Sequence, residues 1–298
     1  MFTLAPIVAA GLQAVAATTT QNPATPDIVV QGQRLPSQAQ ALRAITDMTV
    51  IVESQIARFH GPVCPKTIGV GPDDAAVLDA RMRSTVQSIG APLAAEGCEP
   101  NLLLVLTPDG AAFMKELQAK RPKLLGGMPA PEMRRLMREA PVRAWSVTGL
   151  RTEDGKRLTD RGVVSNGTES YAREGNRRLA SMGPQVEVSS GSNMRNMTRY
   201  VIEGSVVVID AAATSQLTRT QLADYAVFRG LAKVRPSAEV GVNSILGIFS
   251  QPGKDAAREL TLFDRRYLGE MYQNLKGKGF DQAVHERWRL AQAVTEGN

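Results

Sequence analysis

The run LLLVL at residues 102–106 does most to limit how this chain folds; Asn101 precedes it and the turn Pro108-Asp109-Gly110 follows it. So short an apolar stretch without alternation reads as a strand covered on both faces of a sheet. The rest of the chain supplies helices to cover it. Helical spacing over 71–90 places Leu78, Met82, Val86 and Ile89 on one face after an Asp-rich start, and shorter helices follow over 111–120, with Phe113 and Leu117 inward, and over 130–140. Alternation of Val50, Val52 and Ile56 predicts a strand in MTVIVESQIARF (48–59), and VRAWSVTGL (142–150) and RYVIEGSVVVID (199–210) predict two more. Asp154-Gly155 is a hairpin signal.

Three helices are predicted towards the end. The first spans 219–233 and is closed by Pro236; the second, 260–273, opens on Thr261 and Asp264 in a capping-box arrangement. The third, within 280–294, is predicted to turn Val284, Trp288, Ala291 and Val294 inward. Strands and helices alternate in the first half and helices dominate the second. The expectation is an α+β fold, a mixed sheet with helices packed against it. It forms one domain over residues 38–298, with a loose basic segment over 151–199.

Ahead of that domain, LAPIVAAGLQAVAA (4–17) carries no charge, and Ala14-Val15-Ala16 has the small-x-small pattern of a cleavage site. A permanent membrane helix needs about 20 residues, so residues 1–16 read as a cleavable signal peptide and 17–37, rich in Thr, Gln, Pro and Gly, as an extended linker. The first cation is Arg34, so the basic start usual in such segments is missing. The expected location is the periplasm or another part of the cell envelope, with no transmembrane helix left after cleavage. Cys64 and Cys98 are the only cysteines; an oxidising compartment would let them pair, and two separate buried thiols are the alternative.

The chain's net charge is +6, and residues 132–199 hold 13 Lys or Arg against 8 Asp or Glu. Such a surplus draws a protein towards anionic lipid, envelope polymer or nucleic acid, or serves as a solvated surface. Aromatic residues make up 5% of the chain and do not interleave with the basic ones, which argues against a nucleic-acid stacking platform.

Histidine limits the chemistry. His60 stands beside Gly61-Pro62 and reads as a turn residue, and His285 opens HERWR (285–289), where Arg289 replaces the second histidine of H-E-x-x-H. A catalytic zinc needs three or four converging ligands. The helix QLADYAVFRGLA (221–232) offers Asp224, Tyr225 and Arg229 but no His, Cys or Glu. Asp224 and Arg229 form either a structural pair or, with Tyr225, the lining of a shallow pocket. No G-x-S-x-G, P-loop or G-x-G-x-x-G occurs, and no metal or cofactor is expected.

Several stretches carry a resemblance: CEPNLLLVLTPDG, APVRAWSVTGL, QLADYAVFRGLA, SILGIF and LTLFDRRYLGEMY. Over residues 38–275 they resemble a family of exported alphaproteobacterial proteins of unknown function. Residues 200–275 are also similar to a zincin-type metallopeptidase family of exported bacterial proteins. In that family the corresponding helix carries a His-Glu pair, then a Ser-Ile-Phe turn and a Leu-Thr-x-x-Asp helix. Ser244-Ile245, Phe249, Leu260-Thr261 and Asp264 keep the turn and the later helix, whereas the His-Glu pair is missing, so no metal or catalytic residue carries over. DIVVQGQR resembles the energy-coupling box of outer-membrane receptors. The resemblance implies a non-catalytic, exported envelope protein on a degenerate zincin-like frame, acting on an envelope protein or anionic polymer. The alternatives are a hydrolase with a site near Asp224 and Arg229, or an electrostatic binder of anionic polymer or lipid.

Overall fold

Strands β1 (Pro65–Ile68), β2 (Leu102–Thr107), β3 (Val142–Thr152) and β4 (Thr198–Asp210) form one sheet in the order β1-β2-β4-β3. β1, β2 and β4 run parallel, and β3 pairs antiparallel with β4. The computed structural model describes residues 35–296, apart from 53, 126, 127, 129, 139, 153, 154, 156–197, 236–239, 251, 252, 254, 255 and 274–282. Among the described residues seven α-helices surround the sheet: α1 (Gln38–Met48), α2 (Pro72–Ser88), α3 (Gly110–Lys120), α4 (Ala130–Leu136), α5 (Arg219–Leu231), α6 (Leu262–Gln273) and α7 (Ala283–Thr295). The fold is α+β, as the sequence predicts. The predicted signal peptide and nearly all of the linker fall outside the described residues, as does most of the basic segment over 151–199, whose two ends belong to β3 and β4.

The apolar run in β2 reflects two cores. Leu102, Leu104 and Leu106 enter the larger one, with Ile45 of α1, Met82 of α2, Phe228 of α5, Tyr267 of α6 and Leu290 of α7. Val105 faces the other way, onto Met114, Leu125, Leu136, Trp145 and Val208. A strand loaded on both faces needs no polar side, and this one has none. α5 runs through the larger core; every residue from Gln221 to Leu231 is buried. Its start is fixed by a capping box between Thr218 and Gln221. Gly230 lets it approach the sheet, since a Cβ there would lie 2.8 Å from Leu102 Cδ1.

Two sequence expectations are corrected. Residues 48–59 do not form a strand: α1, capped by Ser37, runs to Met48, and only single bridges follow, Thr49 with Val234, Val52 with Gln55 and Arg58 with Val201. The chain reverses between Val52 and Gln55, with Ser54 at φ 63°, and this tight turn breaks the extended run. On α7 the inward face is different from the one expected. Val284 and Trp288 are 69% and 52% exposed, while Ala283, Glu286, Leu290, Ala291 and Val294 are buried. Glu286 turns inward because Arg58, itself bonded to the Met271 carbonyl, pairs with its carboxylate.

Cys64 and Cys98 are joined, with Cα atoms 6.0 Å apart across 34 positions. The closed loop holds β1 and α2. No helix among the described residues is long and apolar enough to cross a membrane.

Candidate functional site

Asp224 lies in the middle of α5 with no solvent exposure. Arg81 reaches it from α2 with two nitrogens, Nε to Oδ1 at 2.9 Å and Nη2 to Oδ2 at 2.6 Å. Thr85 donates to Oδ1 at 2.8 Å and the Leu260 backbone N–H to Oδ2 at 2.9 Å. Four donors from two other parts of the chain thus meet on one carboxylate. Arg229, one and a half turns on, is also buried, but its Nη1 donates to the Arg235 carbonyl at 3.0 Å and its guanidinium lies 5.7 Å from the Tyr225 ring centroid. Tyr225 in turn meets Phe249 edge-on, with centroids 4.8 Å apart. Asp224 therefore faces α2, whereas Tyr225 and Arg229 stack with each other.

The Ser244-Ile245 turn and the start of α6 meet at another carboxylate. Ser244 Oγ donates to Asp264 Oδ1 at 2.6 Å, and the N–H groups of Ile245 and Thr261 donate to Oδ2 at 2.8 and 2.9 Å. Asp264 N–H returns a bond to Thr261 Oγ1, completing the cap expected at the start of α6. Burial pushes the Asp264 carboxyl up to about 6, against the pull of these donors.

A cleft of about 990 Å³ opens at the N-terminal ends of the parallel strands. His60, Arg151, Arg199 and Glu203 line it, with Phe59 and Val201 as apolar surface. Arg151 pairs with Glu203 at 2.8 Å. Arg199 Nη1 lies 3.0 Å from His60 Nδ1. A guanidinium can only donate, so Nδ1 accepts and the ring carries its proton on Nε2. Burial, then the charges of Arg199 and Arg58, lower the His60 pKa to about 3. At neutral pH it is an uncharged hydrogen-bonding group and a weak base. His285 is exposed on α7. Among the described residues, no group of three or more His, Cys, Asp or Glu is placed to hold a metal ion.

The opposite end of the strands, where open α/β sheets commonly bind ligands, is partly occupied by the protein itself. Asp210, at the end of β4, accepts from the Gly110 N–H that begins α3 at 2.9 Å and from Arg143 Nη1 at 3.0 Å. The positive end of α3 is thereby answered by an internal carboxylate.

Sequence reasoning missed Arg81, Arg58 and Arg199 as partners. No local signal marks them, because each bond spans more than a hundred positions. It also passed over Lys233, which stands where a cation near a helix end ordinarily attracts no notice. No protein-family model, curated protein or solved structure matches this chain.

Proposed function

We propose that the chain is an exported, non-catalytic binding protein of the cell envelope, on a zincin-like frame whose central helix serves packing instead of metal binding. The observation that carries this reading is the state of Asp224. With four donors on its two oxygens, it has little capacity left to ligate a metal or take a proton. The meeting of the Ser-Ile turn with Asp264 supports the same frame, since the segments similar to that family act here as one packing unit. The Cys64–Cys98 bond is compatible with an oxidising compartment. The cleft beside His60 has the size and mixed lining of a binding site, and the charge surplus of residues 132–199 favours an anionic polymer over an envelope protein as its partner.

The test is elemental analysis of the purified protein together with co-sedimentation on anionic envelope polymer at low and high salt. The expected result is far less than one zinc per chain and binding that weakens as salt rises. Stoichiometric zinc, or a hydrolytic activity abolished by Asp224→Asn in protein that remains folded, overturns the reading.

A further inference from the structure

Among the described strands, β3 has a neighbour on one side only. The Asp210 N–H donates to the Pro141 carbonyl at 2.9 Å, which sets the phase of the ladder. Hydrogen-bonded pairs then fall at Arg143 with Val208 and Trp145 with Val206, while Ala144 and Ser146 turn their N–H and C=O groups away from β4. Those two residues line a cavity of about 90 Å³. α4 brings Glu132 and Arg135 to it, and the end of α5 brings Arg229 and, just beyond the helix, Lys233.

Lys233 is the unusual member. Its ammonium makes no hydrogen bond or ion pair among the described residues, although the side chain is largely enclosed. Burial holds its pKa below the ordinary lysine value, with Glu132 opposing and Arg135 adding to the shift. A half-buried cation without a partner is poorly solvated, and an incoming anion would offset that cost. Among the described lining residues, Lys233 and Arg135 face the Glu132 carboxylate, while Arg229 is already engaged with the Arg235 carbonyl. A phosphate offers three acceptor oxygens that both cations and the outward N–H groups can share, more than the two oxygens of a carboxylate provide.

We propose that this cavity binds a phosphate group, held by Lys233 and Arg135 and approached by the outward N–H groups of Ala144 and Ser146. The phosphate is either free or carried as a monoester on a larger molecule. The inference is independent of the reading above: it requires neither export nor a zincin-like frame, and it uses a different cavity.

The experiment is isothermal titration of the full chain with inorganic phosphate, glycerol phosphate and acetate, repeated with Lys233→Met. Saturable uptake of one phosphate per chain is expected, weakened about tenfold or more in Lys233→Met, in line with loss of a charge-assisted bond. The variant should melt no lower than the parent without ligand, because it removes a charge that has no partner. Tighter binding of glycerol phosphate assigns the group to a larger carrier, and tighter binding of inorganic phosphate assigns it to the free ion. No uptake at about 10 mM phosphate, equal uptake by Lys233→Met, or acetate bound as tightly as phosphate overturns the proposal. The cations would then serve only to guard an open strand edge.

Discussion

Asp224 draws its hydrogen-bond donors from α2 and from the residue two positions ahead of α6, so its side chain fastens three helices at one point. Asp224→Asn keeps the shape but removes the charge opposite Arg81. Breaking such a pair usually costs 3–5 kcal/mol, and partial exposure of Arg81 favours the low end, about 3 kcal/mol. Urea unfolding should show this as a lower midpoint; an unchanged midpoint would mean that α2 and α5 are held by apolar packing alone. His60 gives a pH dependence. Its pKa is about 3 in the fold and 6.5 ordinarily, so between those values the unfolded chain binds more protons. The His60 contribution to stability is therefore complete above pH 6.5 and falls towards pH 3, by at most about 1.4 kcal/mol per unit. Asp264 acts in the opposite sense. Raised from 3.8 to about 6, it favours the fold in acid and loses that contribution as pH rises through the interval. His60→Gln, which still accepts from Arg199, should remove the first trend, and Asp264→Asn the second. Denaturant midpoints measured across the window check both.

At the scale of elements, Gly230 sets how closely α5 lies on β2. Gly230→Ala would bring a methyl group to 2.8 Å from Leu102 and should cost about 1–3 kcal/mol. A compensating Leu102→Val should recover part of that in a double-mutant cycle; a neutral Gly230→Ala would show that the layers slide apart freely. The same elements mark how far sequence alone can be read. β2 was legible because contact on both faces leaves an unbroken apolar run. α6 was legible from its cap, since Thr261 and Asp264 lie three residues apart. The face of α7 was not, because the group that draws Glu286 inward is 228 positions away. The supposed strand at 48–59 failed because the turn at Ser54 breaks the run into single bridges, and burial does not alternate along it. For the site, local sequence revealed Asp224 and Arg229 but not that their partners would be Arg81 on one and the Arg235 carbonyl on the other.

For the whole molecule, the two ends of the sheet differ in character. The C-terminal end is engaged by Asp210, Arg143 and α3, and the N-terminal end opens into the cleft beside His60. The disulfide lies at the open end, between the residue ahead of β1 and the segment leading to β2. In the chain-entropy account, a closed loop of 34 positions is worth about 3–4 kcal/mol. At about 2–4 °C per kcal/mol for a domain of this size, reduction should lower the melting temperature by roughly 10 °C. Calorimetry with and without a reductant, with Cys64→Ala/Cys98→Ala as control, measures it. A shift near zero would mean that packing in the larger core already holds α2 in place.

Joining Cys64 to Cys98 also changes what can be done to the polypeptide as a thread. While the sulfurs are bonded, three lengths of backbone must travel side by side wherever that ring goes. An opening wide enough for a single extended strand will stop it. Any passage in single file therefore has to come before oxidation or follow reduction.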